Sequence, residues 1–450
     1  MKSFHSKACL AKGMLAITSM GLLAMLLVSA IYMKDSPSIN SDPGPTNIAA
    51  EENSYSCRSW RTSVSHCPSP AFESFYKTYT ARASAVLRSG NFSNAQFLVH
   101  VSGPWGVGNR LTSLVSAFLI GFLTDRIVLT NYPDFYHFYD PEGLPDIHLN
   151  TYAQRLEADP RFAAEDSNLT LQCTDELPEL LASGNLSRVW ESKHNIMFWC
   201  QDYSLPYLLV NPVYSNILSN FFPSFEPFHD IATKVLRPSM RMQEVVNSFV
   251  KMNFIKHKQM IGVHARFLKH IPRHKVPLSA VYSSFAESLQ LRLHLPDRDV
   301  GFFIATDSNH EREEIMRQIK GSTAMITAKY VYYLRSNKLE EYHTFDNPGT
   351  EESAHTDLFL LASCQHLVVT FSSSFGQVAA GLGGIPAYSV IGAPEDGWGS
   401  HVAWVAAGAS SEPCPYLMKR MMEVKWDEPW AHRFRTLPSW VHYSQCHHYC

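Results

Sequence analysis

The chain has 450 residues, of which 45% are hydrophobic and 18% are charged, and its formal net charge at pH 7 is −3. These values are typical of a globular protein with a full hydrophobic core, and they exclude a disordered chain. The small negative charge argues against nucleic acid as a partner. The length allows two or three domains.

The N-terminal region predicts a membrane anchor followed by a stem. Residues 13–33 are apolar and uncharged over about the 20 residues that a bilayer requires. Three lysines precede this stretch, so the positive-inside rule places residues 1–12 in the cytosol. A cleaved signal peptide is the alternative, since residues 27–30 resemble a cleavage site, but the long apolar run favours an uncleaved signal-anchor. Residues 34–56 are rich in Pro, Ser, Asn and Asp, which predicts a flexible stem.

Sequons and cysteines indicate that the rest of the chain faces an oxidising compartment. Glycosylation sequons begin at Asn91, Asn168 and Asn185, all after the stem. Of the nine cysteines only Cys9 precedes the anchor, and the even number that remains suits disulfide bonds, whose pairing the sequence does not fix. The terminal cluster 446–450 (CHHYC) is interpreted as a disulfide-linked tail rather than a metal site. We therefore expect a single-pass type II protein of the Golgi membrane with a large luminal part.

Strands and helices alternate in two successive sets, which predicts two Rossmann-like α/β domains that face a cleft. The first domain, residues 57–255, opens with a strand at 96–101, a glycine loop and an apolar helix at 111–123. The second domain spans residues 256–400, and a disulfide-rich segment, residues 401–450, follows it. This GT-B-like arrangement is found in enzymes that use nucleotide sugars. Further strands are predicted at 126–130, 260–265, 300–305, 323–327 and 366–370, and further helices at 277–293 and 375–382.

The stretch 357–386 predicts a helix, a buried strand, a serine-rich turn and a second helix. Serines are favoured N-caps, and the free N–H groups of the second helix point back over the end of the strand. A strand that delivers hydroxyls and helix-terminal amides to one point can bind an anion such as phosphate. An ordinary capped strand-turn-helix is the alternative reading of the same pattern.

Three segments, in this order, resemble the plant-type α-1,2-fucosyltransferases, the family that includes xyloglucan fucosyltransferases. The first is the glycine loop 106–110 (GVGNR) with the helix after it. The second is 261–266 (IGVHAR), which is similar to a G-x-H/Q-x-R motif shared by several classes of fucosyltransferase. The third, 373–384 (SSFGQVAAGLGG), is the most specific, and together the segments cover residues 100–390.

The resemblance implies an inverting enzyme that transfers fucose from GDP-fucose to a glycan acceptor and forms an α-1,2 linkage to a terminal galactose. No metal cofactor is expected. The GDP-fucose would bind the second domain and the acceptor the first, and a homodimer is compatible with this plan.

The resemblance gives the catalytic positions to Arg266 and His264. Arg266 would stabilise the negative charge that develops on the β-phosphate as GDP leaves, because a guanidinium is always charged and can bind bidentately. His264 lies two residues earlier on the same face of the strand, so both side chains could reach one ligand. The alternatives are a surface ion pair for Arg266 and an ordinary core histidine for His264.

A larger set of residues would bind the donor. These candidates are Asn109, Arg110, Asp307, Asp357, Ser373, Ser374, Phe375 and Gly376. The two serines and the amides that follow them would hold the diphosphate, while Asn109 and Arg110 of the other domain would close over the fucose and pyrophosphate. Asp307 ends a strand beside the cleft, with helix capping as its alternative. Asp357 would accept hydrogen bonds from the nucleotide or cap its own helix.

Two departures from the family pattern matter. Phe267 stands where many animal and bacterial relatives carry a second basic residue, which favours the plant branch. The tail reads Cys446-His447-His448 where plant members carry Cys-Glu-Asp, so no carboxylate can be assigned as the general base. Two other functions stay open: a protein O-fucosyltransferase, which shares the arginine motif, and a catalytically silent glycan-binding protein on the same fold.

Overall fold

Two open β-sheets with helices packed on them form the framework of the protein. The computed structural model describes residues 68–163, 168–174, 176–201, 203–267, 278–321, 330–332, 348–371, 373–391, 404–407 and 411–413. The strands are β1 (Phe97–His100), β2 (Ile127–Thr130), β3 (Asn168–Gln172), β4 (Asn195–Trp199), β5 (Gln259–Ala265), β6 (Val300–Thr306), β7 (Tyr330–Tyr332), β8 (His366–Thr370), β9 (Ala387–Ile391) and β10 (Trp404–Ala407).

The helices connect and cover these strands. They are α1 (Pro70–Ser89), α2 (Val107–Leu123), α3 (Phe135–Phe138), α4 (Leu149–Glu157), α5 (Pro160–Ala163), α6 (Leu177–Ser183), α7 (Leu186–Val189), α8 (Leu205–Leu209), α9 (Ser215–Phe221), α10 (Pro227–Val235), α11 (Met240–Asn253), α12 (Ser279–Arg292), α13 (Asn309–Gly321), α14 (Pro348–Ala362) and α15 (Ser374–Gly383). None of these helices is both long and apolar enough to cross a bilayer.

The first sheet has four parallel strands in the order β2-β1-β4-β3. The apolar runs of β1 and β2 were sufficient to predict them. The apolar helix predicted at 111–123 begins four residues earlier, at Val107, so four of the five residues of the glycine loop 106–110 form the first turn of α2. Nearly every residue of α2 is buried, which explains why its sequence shows no polar face.

The second sheet has the order β10-β9-β8-β5-β6-β7, in which all strands are parallel except the edge strand β10. From β5 the chain proceeds outward to β6 and β7, then returns to β8 on the other side of β5. The direction of winding therefore reverses between β5 and β8, and ligands bind outside the carboxyl ends of strands at such a point. The edge strand β10 lies just beyond residue 400, the predicted end of the second domain, and belongs to this sheet.

The two predicted domains share one hydrophobic core. The main cluster of buried side chains runs from both faces of the first sheet into α14 and α15, which belong to the second. A smaller cluster lies on the far face of the second sheet, under α12 and α13. The last described segment returns to the first half, where Glu412 accepts hydrogen bonds from the Phe228 N–H (2.7 Å) and the Tyr203 hydroxyl.

The described cysteines are only partly paired, and the three sequon asparagines differ in their surroundings. Cys173 and Cys200 form a disulfide, whereas Cys364 is a buried free thiol, which corrects the expectation that it belongs to an even, paired set. Asn91 and Asn185 are exposed, as a glycosylation site requires. The amide nitrogen of Asn168 instead donates to the carbonyl of Phe162 (2.7 Å) within the fold.

Several predictions fall outside the described residues. They concern the cytosolic tail, anchor and stem (1–56), the strand at 323–327, and most of the C-terminal segment with its cysteines.

Candidate active site

The carboxyl ends of β5 and β8 bring the two most specific sequence motifs together. Arg266 follows β5 directly, and its backbone N–H donates to the hydroxyl of Thr370, the last residue of β8 (2.8 Å). Ser373 and Ser374 come three and four residues after Thr370, at the start of α15. The point where the winding of the sheet reverses is thus lined by the predicted arginine and the predicted serine turn.

The Arg266 guanidinium is held by Asp307, which follows the neighbouring strand β6. Their Nη1 and Oδ2 atoms are 3.3 Å apart, and 23% of the Arg266 side chain is exposed against 5% of the Asp307 side chain. The other oxygen of Asp307 accepts the N–H of Phe267 (2.7 Å). Both oxygens of Asp307 thus face protein groups and hold the Arg266 side chain and its loop, while the predicted contact of Asp307 with the donor stays a prediction.

His264 is buried and packs against the start of α15. Its ring is buried and stacks on Phe375, with ring centroids 5.1 Å apart and planes inclined by 29°. A Cβ atom on Gly376 would lie 2.8 Å from the Nδ1 atom of His264, so only glycine allows this approach. Burial, assisted by the charge of Arg266, lowers the pKa of His264 to about 3. The neutral imidazole supports the first turn of α15, and its buried Nδ1 atom has no hydrogen-bond partner among the described residues. The catalytic role expected for His264 stays a prediction.

Two helix N-termini converge beside Arg266. A Cβ atom on Gly108, in the first turn of α2, would lie 2.5 Å from the backbone nitrogen of Phe375 and 2.6 Å from the carbonyl carbon of Ser374. The N-cap residues Gly106 and Ser373 make no side-chain cap hydrogen bond. The first amides of both helices therefore lack the usual capping partners, and both helix dipoles favour an anion here.

Asn109 and Arg110, from the same turn of α2, differ in their surroundings. Asn109 is partly exposed. Arg110 is buried, forms an ion pair with Glu351 of α14, and lies with its guanidinium carbon 4.6 Å from the ring centroid of Tyr132. Arg110 therefore ties the glycine loop to the second half of the protein, and donor binding by its side chain stays a prediction.

Asp357 carries a carboxylate oxygen that the fold leaves unsatisfied. The residue lies within α14, and its Oδ1 atom is buried without a hydrogen-bond partner. Burial raises the pKa of Asp357 to about 8, although the nearby charge of Arg312 acts in the opposite direction. The helix-capping alternative is wrong, because Asp357 stands in the middle of its helix.

Some contacts of the site could not be found from sequence. Thr370 gave no signal beyond strand propensity, and Glu351 lies 241 residues from the arginine that it pairs with. In the part of the chain that the structure describes, no group of three or more His, Cys, Asp or Glu side chains is arranged to hold a metal ion.

Comparison of the sequence with curated proteins finds plant fucosyltransferases. A galactoside 2-α-L-fucosyltransferase of Pisum sativum is 24% identical over 391 residues, which cover 77% of this chain and 66% of that protein. The probable fucosyltransferase 8 of Arabidopsis thaliana is 23% identical, covering 69% of this chain and 67% of that protein. The resemblance to plant fucosyltransferases is confirmed. The chain spans about two thirds of the length of these curated relatives, and no protein-family model matches it.

A solved fucosyltransferase has the same fold. The structure of a mutant of Arabidopsis thaliana FUT1 in complex with GDP superposes with a TM-score of 0.61 at 18% identity, covering 79% of this chain and 86% of that one. This fucosyltransferase fold is α/β with parallel sheets, as the alternation of strands and helices predicted.

Proposed function

We propose that the protein is an inverting fucosyltransferase that transfers fucose from GDP-fucose to a glycan, with an α-1,2 linkage to a terminal galactose as the expected product. The observation that carries this proposal is the convergence of Arg266 with the N-termini of α2 and α15 at the carboxyl ends of β5 and β8. The similarity to plant fucosyltransferases supports the same reaction.

The site can stabilise the leaving diphosphate. In the transfer step, the acceptor oxygen forms a bond to C1 of fucose while the bond from C1 to the β-phosphate oxygen breaks and its electron pair leaves with GDP. The Arg266 guanidinium faces the developing charge, and the Ser373 and Ser374 hydroxyls with the amides of Phe375 and Gly376 hold the phosphates. The proton of the acceptor hydroxyl passes to a base that the described residues do not identify.

Asp357 is proposed as the group that recognises the nucleotide base. Its unsatisfied Oδ1 can accept hydrogen bonds from N–H groups of guanine, and such a contact would relieve the cost of a buried, unpaired oxygen. The raised pKa of Asp357 fits a carboxylate that gains a partner only when the nucleotide is bound.

We also propose the wider plan expected from the sequence. The two sheets correspond to a GT-B-like pair of domains, with donor on the second and acceptor on the first. Residues 13–33 would anchor the chain in the Golgi membrane with residues 57–450 in the lumen. No metal is expected in the step, because one guanidinium and two helix N-termini already offer positive charge to the diphosphate.

The test is GDP release by the full-length chain, purified in detergent, from GDP-fucose with a panel of galactose-terminated glycans. Replacement of Arg266 by Ala should abolish transfer and leave the melting temperature nearly unchanged, whereas Arg317→Ala, an exposed arginine of α13, should leave both unchanged. The absence of turnover on every acceptor, together with no GDP binding by calorimetry, would sink the proposal. Transfer only to a folded protein would instead indicate a protein O-fucosyltransferase.

A further inference from the structure

Two tryptophans lie together at the carboxyl edge of the first sheet. Trp199 is the last residue of β4, and Trp105 lies in the loop between β1 and α2. The ends of β1 and β4 are adjacent, because the Val101 N–H donates to the carbonyl of Phe198 (2.9 Å). The two indole rings are stacked, with centroids 6.4 Å apart and planes inclined by 24°.

Both indoles are partly exposed but held in place. Trp199 packs on the main core on one side, and its neighbour Cys200 is joined to Cys173 at the end of β3. Trp105 folds back over Gly103, where a Cβ atom would lie 2.7 Å from two atoms of the indole ring. An exposed aromatic surface with its orientation fixed by the fold costs little entropy when a ligand stacks on it.

The two tryptophans lie beside open space and a buried hydroxyl group. A Cβ atom on Gly106, next to Trp105, would meet nothing within 4 Å, so this side of the loop is open. The hydroxyl of Ser102, three residues before Trp105, is buried and has no hydrogen-bond partner. The edge thus offers an apolar platform beside an unsatisfied polar group, which is the combination found in small-ligand sites.

The platform is close to the proposed donor site. Trp105 is three residues from Gly108, whose Cα atom packs closely against Ser374 and Phe375 of α15. Three residues span at most about 11 Å. The tryptophan pair and the anion site therefore lie on either side of the same short loop that leads into α2.

We propose that Trp105 and Trp199 form the platform on which a sugar ring of the acceptor glycan stacks; this inference rests on the proposed function. One face of a pyranose consists largely of C–H groups, with hydroxyls around its rim. Stacking buries that face on an aromatic ring and leaves the hydroxyls free for polar partners or for reaction. The pair would set how the acceptor is oriented, without contacting the diphosphate.

The test uses the full-length chain in detergent and three measurements. Saturation-transfer NMR would detect binding of galactose-terminated oligosaccharides, calorimetry would give GDP affinity, and steady-state kinetics would give the KM for acceptor and the rate of GDP-fucose hydrolysis in its absence. We expect Trp105→Ala to raise the acceptor KM about ten-fold or more, which corresponds to about 1.4 kcal/mol. Trp105→Phe, which keeps an aromatic face, should stay within about three-fold.

Donor-side measurements serve as controls. GDP affinity and acceptor-free hydrolysis should be unchanged in both Trp105 variants. Phe285→Ala is the matched variant. Phe285 and Tyr388 of β9 form another partly exposed aromatic pair, with centroids 5.2 Å apart, and this pair lies at the second sheet. It should leave the acceptor KM unchanged.

The outcomes separate the two proposals. If the wild-type chain neither binds GDP nor turns over GDP-fucose, the proposed function fails, while NMR of the glycans still tests the platform. The platform proposal is overturned if the wild-type chain gives no glycan signal, if Trp105→Ala keeps its acceptor KM within two-fold, or if that variant loses GDP affinity instead. Should Trp105→Ala fail to fold, an unchanged KM and NMR signal in a folded Trp105→Leu variant, which fills the space without an aromatic face, overturns it.

Discussion

The guanidinium of Arg266 and the carboxylate of Asp307 are paired across the ends of two adjacent strands, with 3.3 Å between Nη1 and Oδ2. Asp307 also accepts the N–H of Phe267, so the pair is locked to the backbone of the loop that carries the arginine. A guanidinium fixed in this way is pre-organised for charge that appears only during the reaction.

Replacement of Asp307 by Asn should lower kcat about ten-fold and leave the KM for GDP-fucose nearly unchanged. The amide retains an acceptor for the Phe267 N–H but loses the charge that orients Arg266. Asp299→Asn is the control, because Asp299 pairs with Lys258 (2.7 Å) just before the other end of β6. Equal kcat values for wild type and Asp307→Asn would contradict the positioning role.

Gly108→Ala should destabilise the protein by about 1–3 kcal/mol and weaken GDP binding. Alanine gains helix propensity worth about 1 kcal/mol, but its Cβ would lie 2.5 Å from the backbone nitrogen of Phe375, so one helix end must move. The matched variant Gly106→Ala meets open space and should lose less stability, since it costs only the preference of an N-cap position for Gly over Ala. Urea unfolding and calorimetry with GDP would measure both effects; equal stability of the two variants would show that α2 and α15 are not in tight contact.

Removing Arg110 should be costly for stability. Arg110→Ala leaves the partly buried Glu351 without its cation, and loss of one partner of a buried pair costs about 3–5 kcal/mol. In a double-mutant cycle, Arg110→Ala and Glu351→Ala should show a coupling energy above about 1 kcal/mol. The exposed pair Arg317–Glu314 should give less than about 0.5 kcal/mol in the same urea measurements. Coupling no larger than that of the exposed pair would contradict the bridging role.

Stability should peak near pH 6.5. Burial lowers the pKa of His100, His264 and His355 from 6.5 to about 3, so their contribution is complete above pH 6.5 and is lost as the pH falls toward 3. Burial raises the pKa of Asp357 from 3.8 to about 8, so its ionisation destabilises the fold increasingly between those values. Between pH 4 and 6.5 the three histidines outweigh the single aspartate, and of these four groups only the aspartate still acts from pH 6.5 to 8.

Melting temperatures measured from pH 4 to 9 would test this profile. Asp357→Asn should remove the decline in melting temperature between pH 6.5 and 8. The decline below pH 6.5, which the histidines cause, should remain. An alkaline decline of the same size in this variant would show that other groups cause it.

The sequence predicted local elements well and long-range partners poorly. The strand at His366–Thr370 was placed to the residue, because a short β-branched run bounded by a serine turn admits one reading. The strands β3, β4, β7, β9 and β10 were not predicted; β3 (NLTLQ), for example, is short and half polar. The burial of His264 under Phe375, and the pairing of Arg110 with Glu351, depend on how α15 and α14 dock, which local patterns do not encode.

The side chain of Asn168 has a consequence for the order of events during biosynthesis. Its amide nitrogen, the atom to which an oligosaccharide would be attached, donates to Phe162, and its oxygen accepts from the buried Asn195 on the neighbouring strand. A sugar on this nitrogen would replace one of its two hydrogens, so the contacts with Phe162 and Asn195 restrict when and how the side chain can be modified. If the chain enters the lumen as proposed, Asn168 is open to the glycosylation machinery mainly before its side chain makes these two contacts, whereas Asn91 and Asn185 stay exposed after folding.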